Sequence, residues 1–168
     1  MTIHGPNDRY INDAKIAEAL AQMLNRVGIE ASVETMPKAV YFKRASRGGP
    51  NKSPEFSFML LGWGAGSGEA SSPLKALLHT YDKSKGLGAA NRGRHSDAEV
   101  DKLVKQALAT VDADARGALL AKATEKAVGE NYGVIPMHYQ VNTWAAKAGY
   151  KYLPRTDERT IVTGLSNN

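Results

Sequence analysis

The chain contains no cysteine. Disulfide staples and thiolate metal sites are excluded, so stability must come from an apolar core. A cysteine-free chain also suits an exported bacterial protein, among other settings. Histidine is scarce: His4, His79, His95 and His138 are the four, no two stand four residues apart, and no H-E-x-x-H occurs. That argues against a metal site. No serine sits in G-x-S-x-G, and Gly66-Ser67-Gly68 is too short a match for a nucleophile turn. No G-x-G-x-x-G is completed and no phosphate-loop lysine follows the glycines, which argues against a nucleotide cradle. The acids Asp112 and Asp114 fall at a predicted helix start, where the helix dipole already accounts for them. An enzyme has no residues to stand on here, and the reading is non-enzymatic, with no cofactor and no metal. No apolar run approaches the ~20 residues of a membrane span, and Met1 to Pro6 shows no secretory leader pattern.

What remains is an ordinary globular composition. The 168 residues suit one domain, taken as 1–168, and the formal net charge is +5. The basic residues read as dispersed; the nearest cluster, Arg92 to His95, has no interleaved aromatic, so nucleic acid is not an expected partner.

Along the chain, Thr2–Pro6 reads as a strand end. From Asn12, Ile16, Leu20, Met23, Leu24 and Val27 recur at helical spacing, with Gly28 as the stop. Residues 29–35 alternate as a half-buried strand with Ile29, Ala31 and Val33 inward, closed by Pro37. Strand, helix and strand at this spacing predict a right-handed βαβ unit with parallel strands. A short helix over 39–46 would turn Val40 and Tyr41 to the core. Residues 47–54 are loop by composition, and 81–94 reads as an extended surface segment. Ser96-Asp97-Ala98-Glu99 is a capping box for a helix with the stripe Val100, Leu103, Val104, Ala107, Leu108 and Val111. Asp112 or Asp114 caps the next helix, whose face is Ala115, Leu119, Ala123 and Ala127; the two should pack antiparallel, with Ala107, Ala118 and Ala123 allowing close approach. Residues 134–141 regain strand character. The tail from 143 lacks partners, and Ile161, Val162 and Leu165 look like an orphan strand.

The organising stretch is Glu55 to Leu78. The apolar run Phe56, Phe58, Met59, Leu60 and Leu61 predicts a strand covered on both faces. Gly62, Gly64, Gly66 and Gly68 then permit sharp turning and close approach. Ser72 before Pro73 marks a helix start. Ligands in open α/β sheets sit beyond the carboxyl ends of strands, so Trp63 in this glycine loop is a candidate ligand wall.

Five segments in order, GPNDRYINDAKIAEALAQMLNRVGI, VETMPKAVY, LLGWGAGSGEASSPLKALL, NRGRHSDAEVDKLVKQALATVDADAR and VIPMHYQVNTWAA, resemble the C-terminal part of the bacterial extracellular solute-binding proteins of family 5, the peptide- and nickel-type components of ABC importers. The resemblance implies an α/β fold: one lobe of a periplasmic binding protein type II-like fold, a mixed sheet flanked by helices. It implies a C-terminal lobe fragment whose tail from about 143 belongs to the interlobe crossing. It further implies a periplasmic parent, a small-molecule or peptide ligand held in the interlobe cleft, a membrane permease as partner, and a missing N-terminal lobe. By matching position Trp63 and Gly64 would line the cleft, with Ser67 and Glu69 in the same loop, and His138, Tyr139 and Asn142 near the crossing. Peptide binders of the family often carry an aspartate after Gly-Trp that pairs with the peptide's amino terminus; here Glu69 is the only acid between Gly64 and Ser72. An interaction domain without a small ligand is the alternative, and a hydrolase using His138 the third reading.

Overall fold

A computed structural model describes the chain except for Thr156, Glu158 and Asn168. Strand β1 (Thr2–Pro6) and strand β2 (Ser32–Met36) pair in parallel, with Ile3 opposite Val33. Helix α1 (Asp13–Arg26) connects them, which completes the expected βαβ unit. The helix begins without a capping side chain at Asn12, which is left-handed at φ 56°. Asp13 takes over one residue later. Its buried carboxylate accepts the backbone N–H groups of Arg9 (2.9 Å), Tyr10 (3.0 Å) and Ala14 (2.9 Å). At the other end Gly28 (φ +84°) allows a Schellman closure: its N–H reaches the Asn25 carbonyl and the Ile29 N–H reaches that of Leu24. The Asn25 amide then bonds both N–H and C=O of Ala31, tying the helix end to the approach to β2.

The buried face of α1 is Ala17 and Ala21, with Leu20 and Leu24 half-covered, packing on Ile3. Met23 and Val27 are instead exposed, as is Ile29. Small residues lie against the strands because β1 is close: a Cβ on Gly5 would lie 3.7 Å from Ala17 Cβ.

Helix α2 (Lys38–Arg47) buries Tyr41 and Ala45 against Met36 and Phe56, while Val40, expected inward, is exposed. The predicted strand at 56–61 contracts to one parallel bridge, His4 to Met59, on the free side of β1. His4 N–H donates to the Phe58 carbonyl (3.0 Å) and Leu60 N–H to that of His4 (2.8 Å). The apolar run is consumed by packing on two cores, Phe56 in one and Phe58 in the other, rather than by a longer ladder.

Helix α3 (Ser71–Pro73) continues as a wide turn over Leu74–Leu78. Ser72 does not cap it; Ser71 lies at the first helical position and is buried. Helix α4 (Ala98–Ala109) is capped by Asp97, which accepts from Glu99 and Val100, and not by Ser96, whose hydroxyl pairs with that of Thr80. Helix α5 (Ala113–Thr124), prolonged by a wide turn over Glu125–Glu130, is capped by Asp112. Val100, Val104, Ala107, Leu120, Ala123 and Ala127 are buried between them with Leu74 and Leu78. Leu108, Val111, Ala115 and Ala118 lie outside this seam: α4 breaks at Thr110, so the stripe drawn to Val111 overruns the helix by two residues.

The connection over 81–94 is not a loose surface segment. Leu87, Gly88 and Asn91 are buried. Asn91 Nδ2 donates to the carbonyls of His79 (3.0 Å) and His95 (2.7 Å), and its Oδ1 accepts from His95 N–H (2.9 Å). One amide closes both ends of the loop.

Residues 134–141 form no strand. Among the described residues, none from 134 to 146 enters a backbone–backbone hydrogen bond, and Ile135, Tyr139 and Val141 are exposed. The strand-forming side chains are present, but no sheet edge lies alongside them. Beyond, β3 (Tyr150–Tyr152) and β4 (Leu165–Asn167) pair antiparallel, so Leu165 gains the partner that the sequence did not supply. The α/β class therefore holds, with its parallel and antiparallel pairings in separate small sheets.

Candidate functional site

The Gly-Trp loop leaves the sheet where residues 58–60 end beside β1. Two tyrosines fix its start. Tyr41 is fully buried and its hydroxyl donates to the Leu60 carbonyl at 2.6 Å. Burial pushes that phenol well above its ordinary range, so it stays a donor. Tyr10 OH donates to the Gly62 carbonyl at 3.2 Å, and its ring packs so closely that a Cβ on Gly62 would lie 2.7 Å from it. Gly62 is thus a close-approach glycine. Reading residues 7–10 as plain loop missed Tyr10; no pattern in the sequence joins it to a residue 52 positions away.

Glu69 fixes the loop's exit. Its Oε1 accepts from the Ser71 hydroxyl (2.6 Å) and its Oε2 from Arg116 Nε (2.8 Å). Hydrogen bonding from Ser71, then from Arg116, holds this carboxyl below the usual carboxylate range. Arg116 in turn donates to the Thr110 and Val111 carbonyls, the turn between α4 and α5. Glu69, the only acid of the loop and a candidate ligand residue in the sequence, is engaged within the protein on both oxygens.

Between these clamps the tip stands open. A Cβ on Gly64 or Gly66 would meet no atom within 4 Å. Trp63 is 45% exposed, large apolar area left uncovered at the head of the loop. Gly68, at φ +76°, closes a turn to the Ala65 carbonyl. Gly66, Ser67 and Gly68 form one wall of a groove of about 440 Å³, and Pro154, Arg155 and Asp157 from the tail form the other. Arg155 donates from Nε and Nη2, one edge of its guanidinium, to both carboxylate oxygens of Asp157. That pairing brings Asp157 down to about 2 and raises Arg155, so both stay charged at neutral pH. Nothing in the tail's sequence singled out these two residues.

The tail is held in place by its own small cluster. Trp144 packs against Tyr152 with ring centroids 5.6 Å apart and donates to Thr160 Oγ1 at 2.9 Å. Tyr152 OH donates to the Arg159 carbonyl and accepts from Ile161 N–H.

The second group of sequence candidates lies apart from the loop. His138 and Tyr139 are on the unpaired 134–141 stretch, Tyr139 fully in solvent, and Asn142 Oδ1 accepts from Gln140 Nε2 at 3.0 Å. Among the described residues, no hydrogen bond joins them to Trp63, Gly64, Ser67 or Glu69. No cluster of three or more metal-ligating side chains occurs among the described residues.

No family model matches this chain, and no curated protein matches it. Among solved structures it is similar to HbpA2 from Haemophilus parasuis, with a TM-score of 0.74 and 18% identity over 99% of this chain and 32% of that one. It is also similar to a substrate binding protein from Microbacterium hydrocarbonoxydans complexed with 4-hydroxybenzoate hydrazide, with a TM-score of 0.67 and 15% identity over 94% of this chain and 31% of that one. The chain spans about a third of the length of either. The likeness establishes the fold: an α/β arrangement shared with part of a substrate-binding protein.

Proposed function

We propose that this chain is the C-terminal lobe of a non-enzymatic, family 5-type solute-binding protein that captures a small polar solute, such as an oligopeptide, for delivery to the membrane permease of an ABC importer. In this reading the parent is periplasmic and a second, N-terminal lobe closes the cleft. One observation carries the proposal. A glycine loop is pinned at both ends yet open at its tip; it carries a half-exposed tryptophan at its head, and its residues 66–68 form one wall of a charged groove. Pockets combine an apolar wall with a few placed polar groups, and this loop has both.

The roles follow from position. Trp63 stacks on an apolar or planar part of the solute; Gly64 lets the solute reach the backbone; Ser67 offers a hydroxyl. Glu69 positions the loop through Arg116 rather than meeting the ligand. Arg155 and Asp157, paired with each other, give the opposite wall of the groove a fixed polar surface. His138, Tyr139 and Asn142 stay outside this groove and are free to meet the second lobe.

The test is an NMR titration with short peptides. The chain has two tryptophans, hence two indole signals, and the Trp63 signal should move on titration while that of Trp144 stays. Trp63→Ala should weaken binding about tenfold or more, as loss of a central aromatic anchor does. A peptide that moves neither signal, or one bound equally well by Trp63→Ala, would overturn the assignment.

A further inference from the structure

The positive charge of this protein is gathered in two stretches of sequence that folding brings together. Residues 35–54 carry five Lys or Arg and no acid, and residues 83–94 carry four and no acid. Nine of the chain's 22 basic residues thus lie in two acid-free stretches; the remaining 13 are outnumbered by all 17 acids. The sequence reading of a dispersed basicity is corrected on this point. The structure fastens the two stretches together. Arg92 Nε donates to Ser46 Oγ at 3.2 Å, and the Arg92 guanidinium lies 5.5 Å from the centre of the Phe42 ring.

At this junction a groove of about 460 Å³ is lined by Phe42, Lys43, Ser46 and Arg47. Lys43 and Arg47 are exposed and one helical turn apart, so their like charges repel. Among the described residues no carboxylate lies within 4 Å of Lys43, Arg47 or Arg92. Arg44, on the same helix, shows the contrast: it clamps Glu34 (2.7 Å) and Glu55 together. Helix α2 therefore has one arginine that is satisfied by carboxylates from its own chain and a neighbouring groove whose cations lack them.

We propose that the α2 groove is a docking site for an acidic peptide segment of a protein partner. Glutamate or aspartate side chains would enter between Lys43 and Arg47, with Arg92 behind them. Carboxylates fit better than a lipid surface, because the groove's aromatic ring is half-buried under Arg92 and has nothing to insert into a bilayer.

The experiment is fluorescence anisotropy of a labelled deca-glutamate peptide with the full chain. Binding should weaken markedly as sodium chloride rises from about 10 to about 100 mM, where the Debye length falls from ~30 to ~10 Å. The double substitution Lys43→Glu with Arg47→Glu should reduce affinity about tenfold or more. Lys102→Glu with Lys105→Glu, the same charge change on the exposed face of α4, should leave most of the binding intact. The proposal fails if the peptide does not bind at low salt, or if the α4 control loses as much as the α2 variant. Loss on Trp63→Ala would assign the peptide to the Gly-Trp groove instead. Binding to phosphatidylglycerol vesicles without binding to the peptide would make the surface a membrane site and overturn it equally.

Discussion

Two glycine-rich connections in this molecule look alike in sequence and behave in opposite ways. The 62–70 loop and the 81–94 connection both lack regular structure and both mix glycine with polar residues. In the second, an amide points inward: Asn91 closes three hydrogen bonds, and Leu87 and Gly88 pack behind it. In the first, the fastenings to other parts of the chain are at the ends, Tyr10 and Tyr41 before the tip and Glu69 with Arg116 after it, and a Cβ added at Gly64 or Gly66 would meet no atom within 4 Å. Composition therefore does not say whether a loop is packed or open. The placement of its hydrogen bonds does: bonds that converge inside make a loop part of the core, while bonds at the rim leave backbone and aromatic area uncovered.

The contrast can be broken most severely at Gly88. Its φ is +61°, and a Cβ there would lie 2.4 Å from the His79 carbonyl oxygen. Gly88→Ala should destabilise the fold by roughly 3 kcal/mol through strain and clash together, read from urea melts. Asn91→Ala comes next. It leaves two carbonyls and one N–H without their partner at a site 3% exposed, and should cost about 2–3 kcal/mol by the same measurement. Tyr41→Phe removes the single buried donor to the Leu60 carbonyl and should cost about 1–2 kcal/mol. Gly64→Ala and Gly66→Ala should stay within about 0.5 kcal/mol of the parent. If either matched Gly88→Ala, the two loops would not differ as described.

The finest distinction concerns pH. The folded-state pKa of Glu69 is lowered from 4.5 by Ser71 and Arg116. A lowered carboxyl contributes stability that is present above its unfolded value and lost as the pH falls through the folded value. The melting temperature of the parent should therefore exceed that of Glu69→Gln at neutral pH, and the gap should narrow below about pH 4.5. A gap that persisted unchanged into acid would mean that the loop exit is held by packing and not by the ion pair.

Much of the frame was legible in the sequence. Gly28 marked the end of α1, Asp112 or Asp114 the start of α5, of which Asp112 is the cap, and the spacing of Val100, Val104 and Ala107 set the seam of the helix pair. These signals are local, within one or two turns of chain. What was not legible is long-range. Nothing near Glu69 announces that Arg116 will take it, and nothing near Asn91 announces that it will tie His79 to His95. Residues 134–141 failed for a related reason: strand propensity describes a side chain's fitness for a sheet, but the sheet edge must be supplied from elsewhere. The loop with Trp63 was legible as an open turn; the opposite wall, Arg155 and Asp157, was not, since only folding brings residues 66–68 to the tail.

The empty space around Gly64 and Gly66 has a consequence for how such a protein changes over generations. Side chains can be written into these two positions without disturbing any packed neighbour, so drift there comes at little cost to foldability. Gly68, held at φ +76°, is the fixed hinge of that alphabet. A lineage built on this loop can diversify the surface it presents while the scaffold that carries it stays the same.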